Sequence, residues 1–257
     1  VAYASYVHAL MDGRPRKNDP YTGRDDSADH PQPESLFSIQ FAAPYTIAIP
    51  ARVLGIGTPW AFTIAGAIAA FLAAFLVFWV ARMVIANDWF AMAASLVTLV
   101  GGAVFAGEGA MSEVFFDGFS YPYFPGFRRY IPALAFPAFF LFVGAIYKLA
   151  SDDETNKKAN WATVGVAVAA FAYCTFSYFY VWTTAVAWAG CFGLALIAVR
   201  FEVFKKCWLR LTAAAVGCGL ALIPYAVLLS RRSTTMDDVQ LLSSTHAFDL
   251  TRPPEYV

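Results

Sequence analysis

The chain has 257 residues, of which 59% are hydrophobic, 17% aromatic and only 14% charged, and its eighteen basic and eighteen acidic residues leave no net charge. That is too little charge for a soluble domain of this size, which must solvate its whole surface. Water is therefore not its main solvent, and the expected fold is all-α: one polytopic transmembrane helix bundle over residues 1–257, with an outer loop and an interfacial helix.

Val1 to Leu10 resembles the end of a helix, and no initiator methionine, basic n-region or cleavage site precedes it. Together with the abrupt last residues, Thr251 to Val257, this predicts a fragment of a longer protein. Residues 11–58 read as an outer loop plus the interfacial helix, 59–229 as the membrane spans and 230–257 as a second outer segment. The stretch MDGRPRKNDPYTGRDDSADHPQPE, Met11 to Glu34, is rich in Asp, Pro, Gly and Arg, the chemistry of turns rather than helix. Within it Asp19, Asp25, Asp26 and Asp29 crowd beside Arg24 and His30. Three readings are open there: oxygen ligation of a divalent cation, a carboxylate pair with separated pKa values, or a solvated loop whose acids balance neighbouring bases. Ser35 to Gly55 is mostly apolar but interrupted by Gln40, Pro44, Pro50 and Arg52, and the gap before Pro59 is too short for a reversal. A helix lying in the interface and ended by Gly55 fits better than a crossing.

A crossing needs about 20 apolar residues, given a hydrocarbon core of about 30 Å and a rise of about 1.5 Å per residue. Pro59 to Ile85, Trp89 to Ala106, Tyr130 to Ala150 and Cys207 to Leu229 meet or approach this. Trp161 to Val199 is too long for one helix and should fold as a hairpin turning within Tyr178 to Thr184, which makes six crossings. One set of loops carries eight lysines and arginines (Arg82, Lys148, Lys157, Lys158, Arg200, Lys205, Lys206 and Arg210) and the other carries Arg128, Arg129, Arg231 and Arg232. The richer set is expected in the cytoplasm. Met11 to Phe41, Gly107 to Arg129 and the tail after Ser230 then face outward with thirteen of the eighteen acidic residues, His30 and His246, and His8, just before Met11, is placed on the same side.

The four cysteines, Cys174, Cys191, Cys207 and Cys218, lie in or beside apolar helices without CxxC spacing and read as small packing residues. No P-loop, no GxGxxG after a strand and no HExxH occurs, so no nucleic-acid partner is expected. In the outer loop Gly107 to Arg129, Arg128 and Arg129 stand beside Tyr121, Tyr123, Phe124 and Phe127, where they either recognise a phosphate or anchor a helix end to lipid headgroups. Glu108 and Glu113, in GEGAMSEVFFDG, lie at the outer end of the preceding span. Asp237 and Asp238 suit the first turn of an outer helix TTMDDVQLL.

The loop–interfacial helix–span sequence ARVLGIGTP…FWVARMVI, with PESLFSIQF, YFPGFRRYIPALAFPAFFLF, YFYVWTTAVAW and TTMDDVQLLSSTHAFDLTRPPE, resembles the GT-C superfamily of membrane glycosyltransferases, as an uncharacterised bacterial branch near the protein O-mannosyltransferases. The resemblance implies a transferase of the bacterial inner membrane that moves a sugar from a polyprenyl-phosphate donor at the outer face. It implies an acid of the first outer loop as base or metal ligand, with a divalent cation as the cofactor this would involve. The family's acid follows the first span ahead of a Tyr- and Ala-rich turn. The matching stretch VAYASYVHALMDG starts at Val1, which leaves Asp12, Asp19, Asp25 and Asp26 as candidates. Arg128, Arg129, Tyr123 and Glu34 are the expected substrate-binding residues. The rival readings are a transporter or flippase of a lipid-linked solute and a noncatalytic membrane scaffold; the scarcity of ionisable residues inside the spans disfavours ion coupling.

Overall fold

The computed structural model describes residues 2–19, 23–98, 130–151 and 157–232. Its helices, in chain order, are α1 (Ala2–Met11), α2 (Leu36–Ile39), α3 (Ala42–Leu54), α4 (Thr58–Val84), α5 (Asp88–Leu96), α6 (Tyr130–Ser151), α7 (Lys157–Ser177), α8 (Phe179–Val199) and α9 (Phe201–Ser230). The fold is all-α. Among the described residues the β-type contact is an isolated bridge between Glu34 and Arg232.

Four helical stretches are long and apolar enough to cross a membrane: Thr58–Val84, Ala133–Ser151, Phe179–Val199 and Phe201–Ser230. Their side chains follow a lipid-facing pattern. Large apolar groups such as Phe71, Leu194 and Leu220 are exposed, whereas alanine is the commonest buried residue: Ala61, Ala69, Ala73, Ala133, Ala135, Ala145, Ala185 and Ala214. Hydrocarbon is as apolar as leucine, so nothing drives large side chains inward, and small residues let helix backbones approach closely. At Gly144 of α6 a Cβ would collide with the indole of Trp79 from α4.

Side-chain pairs fix the directions. Phe62 and Leu134 share one cluster while Trp79 meets Gly144, so α4 and α6 run the same way. This is the arrangement that the crossing expected at Trp89 to Ala106 requires; the described part of that stretch is α5, and residues 99–106 lie outside the described ones. The Cys174 thiol reaches the Ala135 carbonyl and Phe142 meets Phe171, making α7 antiparallel to α6. Trp188 contacts Phe142, and Phe192 contacts Tyr147, so α8 is parallel to α6. The long stretch is thus a hairpin of α7 and α8, and it turns at Tyr178, an extended residue with φ −158°. Thr183 and Thr184 do not join the turn. Their hydroxyls donate to the Phe179 and Tyr180 carbonyls within α8, which lets the helix absorb them.

Helix α7, 21 residues long, rises about 31 Å and falls outside the four most apolar helices. Polar as well as apolar positions of it are enclosed by protein: Thr175 and Ser177 are buried with Ala167, Phe171 and Cys174. A second correction concerns the segment after Arg200. The expected loop there reduces to one residue, because α9 starts at Phe201 and carries Lys205, Lys206 and Arg210 in its first three turns. The cysteine reading divides: Cys174 and Cys207 are buried and Cys218 partly so, but Cys191 is exposed on α8.

At the opposite end of the bundle, α1 and α3 cover the start of α4 through Tyr6, Val7, Leu10, Ile47, Ala48, Ala51 and Phe62. Helix α3 has 13 residues and rises about 20 Å, short of the hydrocarbon core. It ends as expected at Gly55, φ 66°, whose left-handed conformation lets the Ile56 amide donate to the Ala51 carbonyl at 2.9 Å. Thr46 of α3 bonds Tyr173 of α7 at 3.0 Å, and Phe41 meets Phe176. The starts of α4 and α8 and the ends of α7 and α9 therefore share one side with the acidic segment, and Arg82, Lys148 and Arg200 lie at the other ends of their helices.

Candidate functional site

Residues 12–19 and 23–34 fold as a cap held by ion pairs. Gly13, φ 87°, ends α1, and the Arg14 amide closes the end by donating to the Ala9 carbonyl at 3.0 Å. The Arg52 guanidinium lies over Gly13, where a Cβ would meet its Nη1 at 2.7 Å. A cation there faces the negative end of the α1 dipole. Tyr6 of α1 donates to the Arg16 carbonyl at 2.8 Å, fixing the segment that follows.

From there the cations of residues 14–17 meet the acids of residues 25–34. Arg14 Nε donates to Asp25 Oδ1 at 2.7 Å and its Nη2 to the Gly23 carbonyl at 2.7 Å. Lys17 Nζ stands 2.8 Å from Asp26 Oδ2, and the other oxygen of Asp26 accepts from the Gln32 amide at 2.8 Å. The hydrogen bond from Lys17, then the one from the Gln32 amide, hold the Asp26 carboxyl below its usual range. Asp19 contributes backbone: its amide donates to the Arg24 carbonyl at 2.8 Å and its carbonyl accepts from Gly23 at 3.0 Å. Asp25 and Asp26 thus stand in ion pairs with neighbouring bases. Among the described residues no three His, Cys, Asp or Glu side chains come together as a metal would require. A cavity of about 330 Å³ remains, lined by Arg24, Asp25, Ser27, His30 and Gln32.

Glu34 is the centre of the cap. Arg16 donates to both its oxygens, at 2.9 and 2.7 Å, and Ser38 Oγ donates to Oε2 at 2.7 Å. Arg16 also bonds the Ser38 carbonyl and lies 5.7 Å from the centre of the Phe41 ring. Ser35 and Ser38 form a capping box on α2, the Ser38 amide donating to Ser35 Oγ and the Ser35 amide to Ser38 Oγ. Burial pushes the Glu34 carboxyl up, but the hydrogen bonds from Arg16 and Ser38 and the charges of Arg16 and Lys17 outweigh it, leaving the group below its ordinary value. Both oxygens face partners within the chain, so the geometry makes Glu34 an anchor, joined through its backbone to Arg232 at the end of α9. Arg128, Arg129, Tyr123, Glu108, Glu113, Asp237 and Asp238 lie outside the described residues.

Sequence reasoning placed His8 outside but gave it no role. His8 Nδ1 is 3.0 Å from Thr58 Oγ1, in the first turn of α4, and His8 Nε2 is 3.7 Å from Asp12 Oδ2. A cavity of about 550 Å³ opens there, lined by Ala4, Ser5, His8, Thr58, Pro59, Phe62 and Thr63. The signal was the i, i+4 spacing of His8, in α1, and Asp12, the residue after its last, which puts both on one side of the helix end. An imidazole with one nitrogen engaged by a hydroxyl and the other beside a carboxylate can accept a proton and have the resulting charge stabilised. No family model, curated protein or solved structure matches the chain. The functional reading rests on these residues.

Proposed function

We propose that the protein is a GT-C-like membrane glycosyltransferase that transfers a sugar from a polyprenyl-phosphate donor at the outer face of a bacterial inner membrane. The observation that carries the reading is the cavity at the start of α4, where His8, Asp12 and Thr58 meet beside a folded carboxylate-rich cap. A lipid phosphate presents its sugar at this depth, between the apolar span and the polar segment. In the step, the acceptor oxygen bonds the anomeric carbon, the bond from that carbon to phosphate oxygen breaks, and the phosphate leaves with the electron pair. The acceptor proton passes to His8 Nε2, and Asp12 stabilises the imidazolium. Arg128, Arg129 and Tyr123 are assigned the donor phosphate and sugar, and Asp19, Asp25 and Asp26 the polar wall facing the acceptor.

The ion pairing of Asp25 and Asp26 favours a second reading, a noncatalytic membrane protein whose acids brace the cap. One assay separates the two. Full-length protein in proteoliposomes is given polyprenyl-phosphate mannose, glucose or arabinose, and release of polyprenyl phosphate is followed. The enzyme reading expects turnover that falls about 10²- to 10⁴-fold in His8→Asn. Turnover that is indifferent to His8→Asn removes the assigned base, and no release from any of the three donors leaves the bracing role.

A further inference from the structure

Helices α8 and α9 follow each other through the single residue Arg200, yet they touch one another less than either touches α6 and α7. Between them a cavity of about 480 Å³ opens sideways, floored by Phe142, Ile146 and Phe171. On α9 its lining runs from Phe204 to Leu222, about 27 Å along the axis and close to the full hydrocarbon thickness. The space exists because side chains are missing: Gly190, Gly193 and Gly219 line it, and a Cβ at any of them would meet nothing within 4 Å.

One end of this groove, whose own lining is uncharged, lies at the level of a basic stretch of α9. Phe204 lines it next to Lys205 and Lys206, and Leu211 next to Arg210. Arg200 joins α8 to α9 at this end, and Lys148 closes α6 there. Against these five cations the described residues of this end place Glu202, bonded to Lys205 at 3.0 Å, and Asp88, which is paired with Arg82 at 2.8 Å. Asp152, Asp153 and Glu154 lie outside the described residues, as do the side chains of Lys157 and Lys158 at the start of α7.

We propose that the groove between α8 and α9 is a binding site for an anionic phospholipid, one acyl chain lying along the glycine-lined wall and the phosphate at the basic start of α9. Charge complementarity selects this occupant. A zwitterionic lipid would fill the same apolar length but gain little from the cations, whereas each lysine or arginine near an anionic headgroup strengthens binding about fivefold. The site stands apart from the sugar-transfer reading, since it lies at the opposite end of the bundle from His8 and Asp12.

Native mass spectrometry of the full chain in detergent, titrated with phosphatidylglycerol or with phosphatidylcholine of the same chains, tests it. The expected result is one retained phosphatidylglycerol, at least tenfold preferred over phosphatidylcholine and not displaced by inorganic phosphate. Gly193→Leu, which fills the groove without a clash, should abolish retention of both lipids. The double change Lys205→Gln with Lys206→Gln should remove most of the preference while leaving phosphatidylcholine binding unchanged, and lysine-to-arginine changes at both positions should restore it. Melting temperatures within a few degrees of wild type would show that the variants fold. Equal affinity for both lipids, unchanged binding in Gly193→Leu, or a switch of oligomeric mass in that variant would overturn the proposal, the last by making the groove a protein–protein interface.

Discussion

Replacing Glu34 with glutamine should loosen the cap without disturbing the bundle beneath it. The carboxylate is 6% exposed and takes three hydrogen bonds, two of them from Arg16 in a forked pair. Breaking a fully buried pair by removing one partner costs about 3–5 kcal/mol. Here Arg16 keeps the Ser38 carbonyl and the face of Phe41 and is about a quarter exposed, so the loss reduces to about 2–3 kcal/mol. The half-buried Lys17–Asn18 bond reports this, since trypsin reaches it only when the cap opens, and Pro15 protects the bond after Arg14. In the regime where opening is fast relative to cleavage, the variant should be cut about 30- to 150-fold faster at Lys17. The folded carboxyl is depressed, so its contribution is present above the ordinary glutamate value of 4.5 and lost as the pH falls below it through the folded value. Wild-type cleavage at Lys17, followed with an acid-stable protease of the same specificity, should therefore accelerate on acidification more steeply than in Glu34→Gln, which keeps only the acid response of the Asp26 pair. A change under about twofold in Glu34→Gln, or a parallel acid response in both proteins, would refute the role of this pair.

Two further substitutions test the packing and one the capping. Gly144→Val drives a side chain into Trp79 and should destabilise the bundle by about 1–3 kcal/mol, read as a lowered melting temperature in detergent, whereas Gly165→Ala, with open space at its Cβ, should leave it unchanged or raise it. Ser35→Ala removes the acceptor for the Ser38 amide at the start of α2 and should cost about 1 kcal/mol, measurable as faster amide exchange at Ser38.

The spans were legible because hydrocarbon imposes length and apolarity on each helix by itself, with no tertiary partner needed. Pro59 to Ile85 and Tyr130 to Ala150 matched their helices within a residue or two for that reason. Gly55 was legible as a helix end because only a left-handed residue closes α3 there. The turn of the long hairpin was read too wide: Thr183 and Thr184 look polar in sequence but satisfy their hydroxyls inside α8. The burial of Thr175 and Ser177 in α7 was less visible, since it depends on which neighbours surround that helix. In the cap the crowding of Asp25 and Asp26 was apparent, but their pairing with Arg14 and Lys17 depends on the backbone bonds that join Asp19 to Gly23 and Arg24. The part played by His8 depends on Thr58, fifty residues away, and no local pattern links them.

Every part of the proposed chemistry requires the cap, the His8 cavity and the ends of α7 and α9 to face outward. With the native cysteines replaced by alanine, single cysteines at Ser27, exposed in the cap, and at Asn156, between α6 and α7, report this in intact cells. The account predicts that an impermeant thiol reagent labels Ser27→Cys and spares Asn156→Cys until the membrane is opened. Labelling of Asn156→Cys with Ser27→Cys protected would invert the protein and contradict sugar transfer at the outer face.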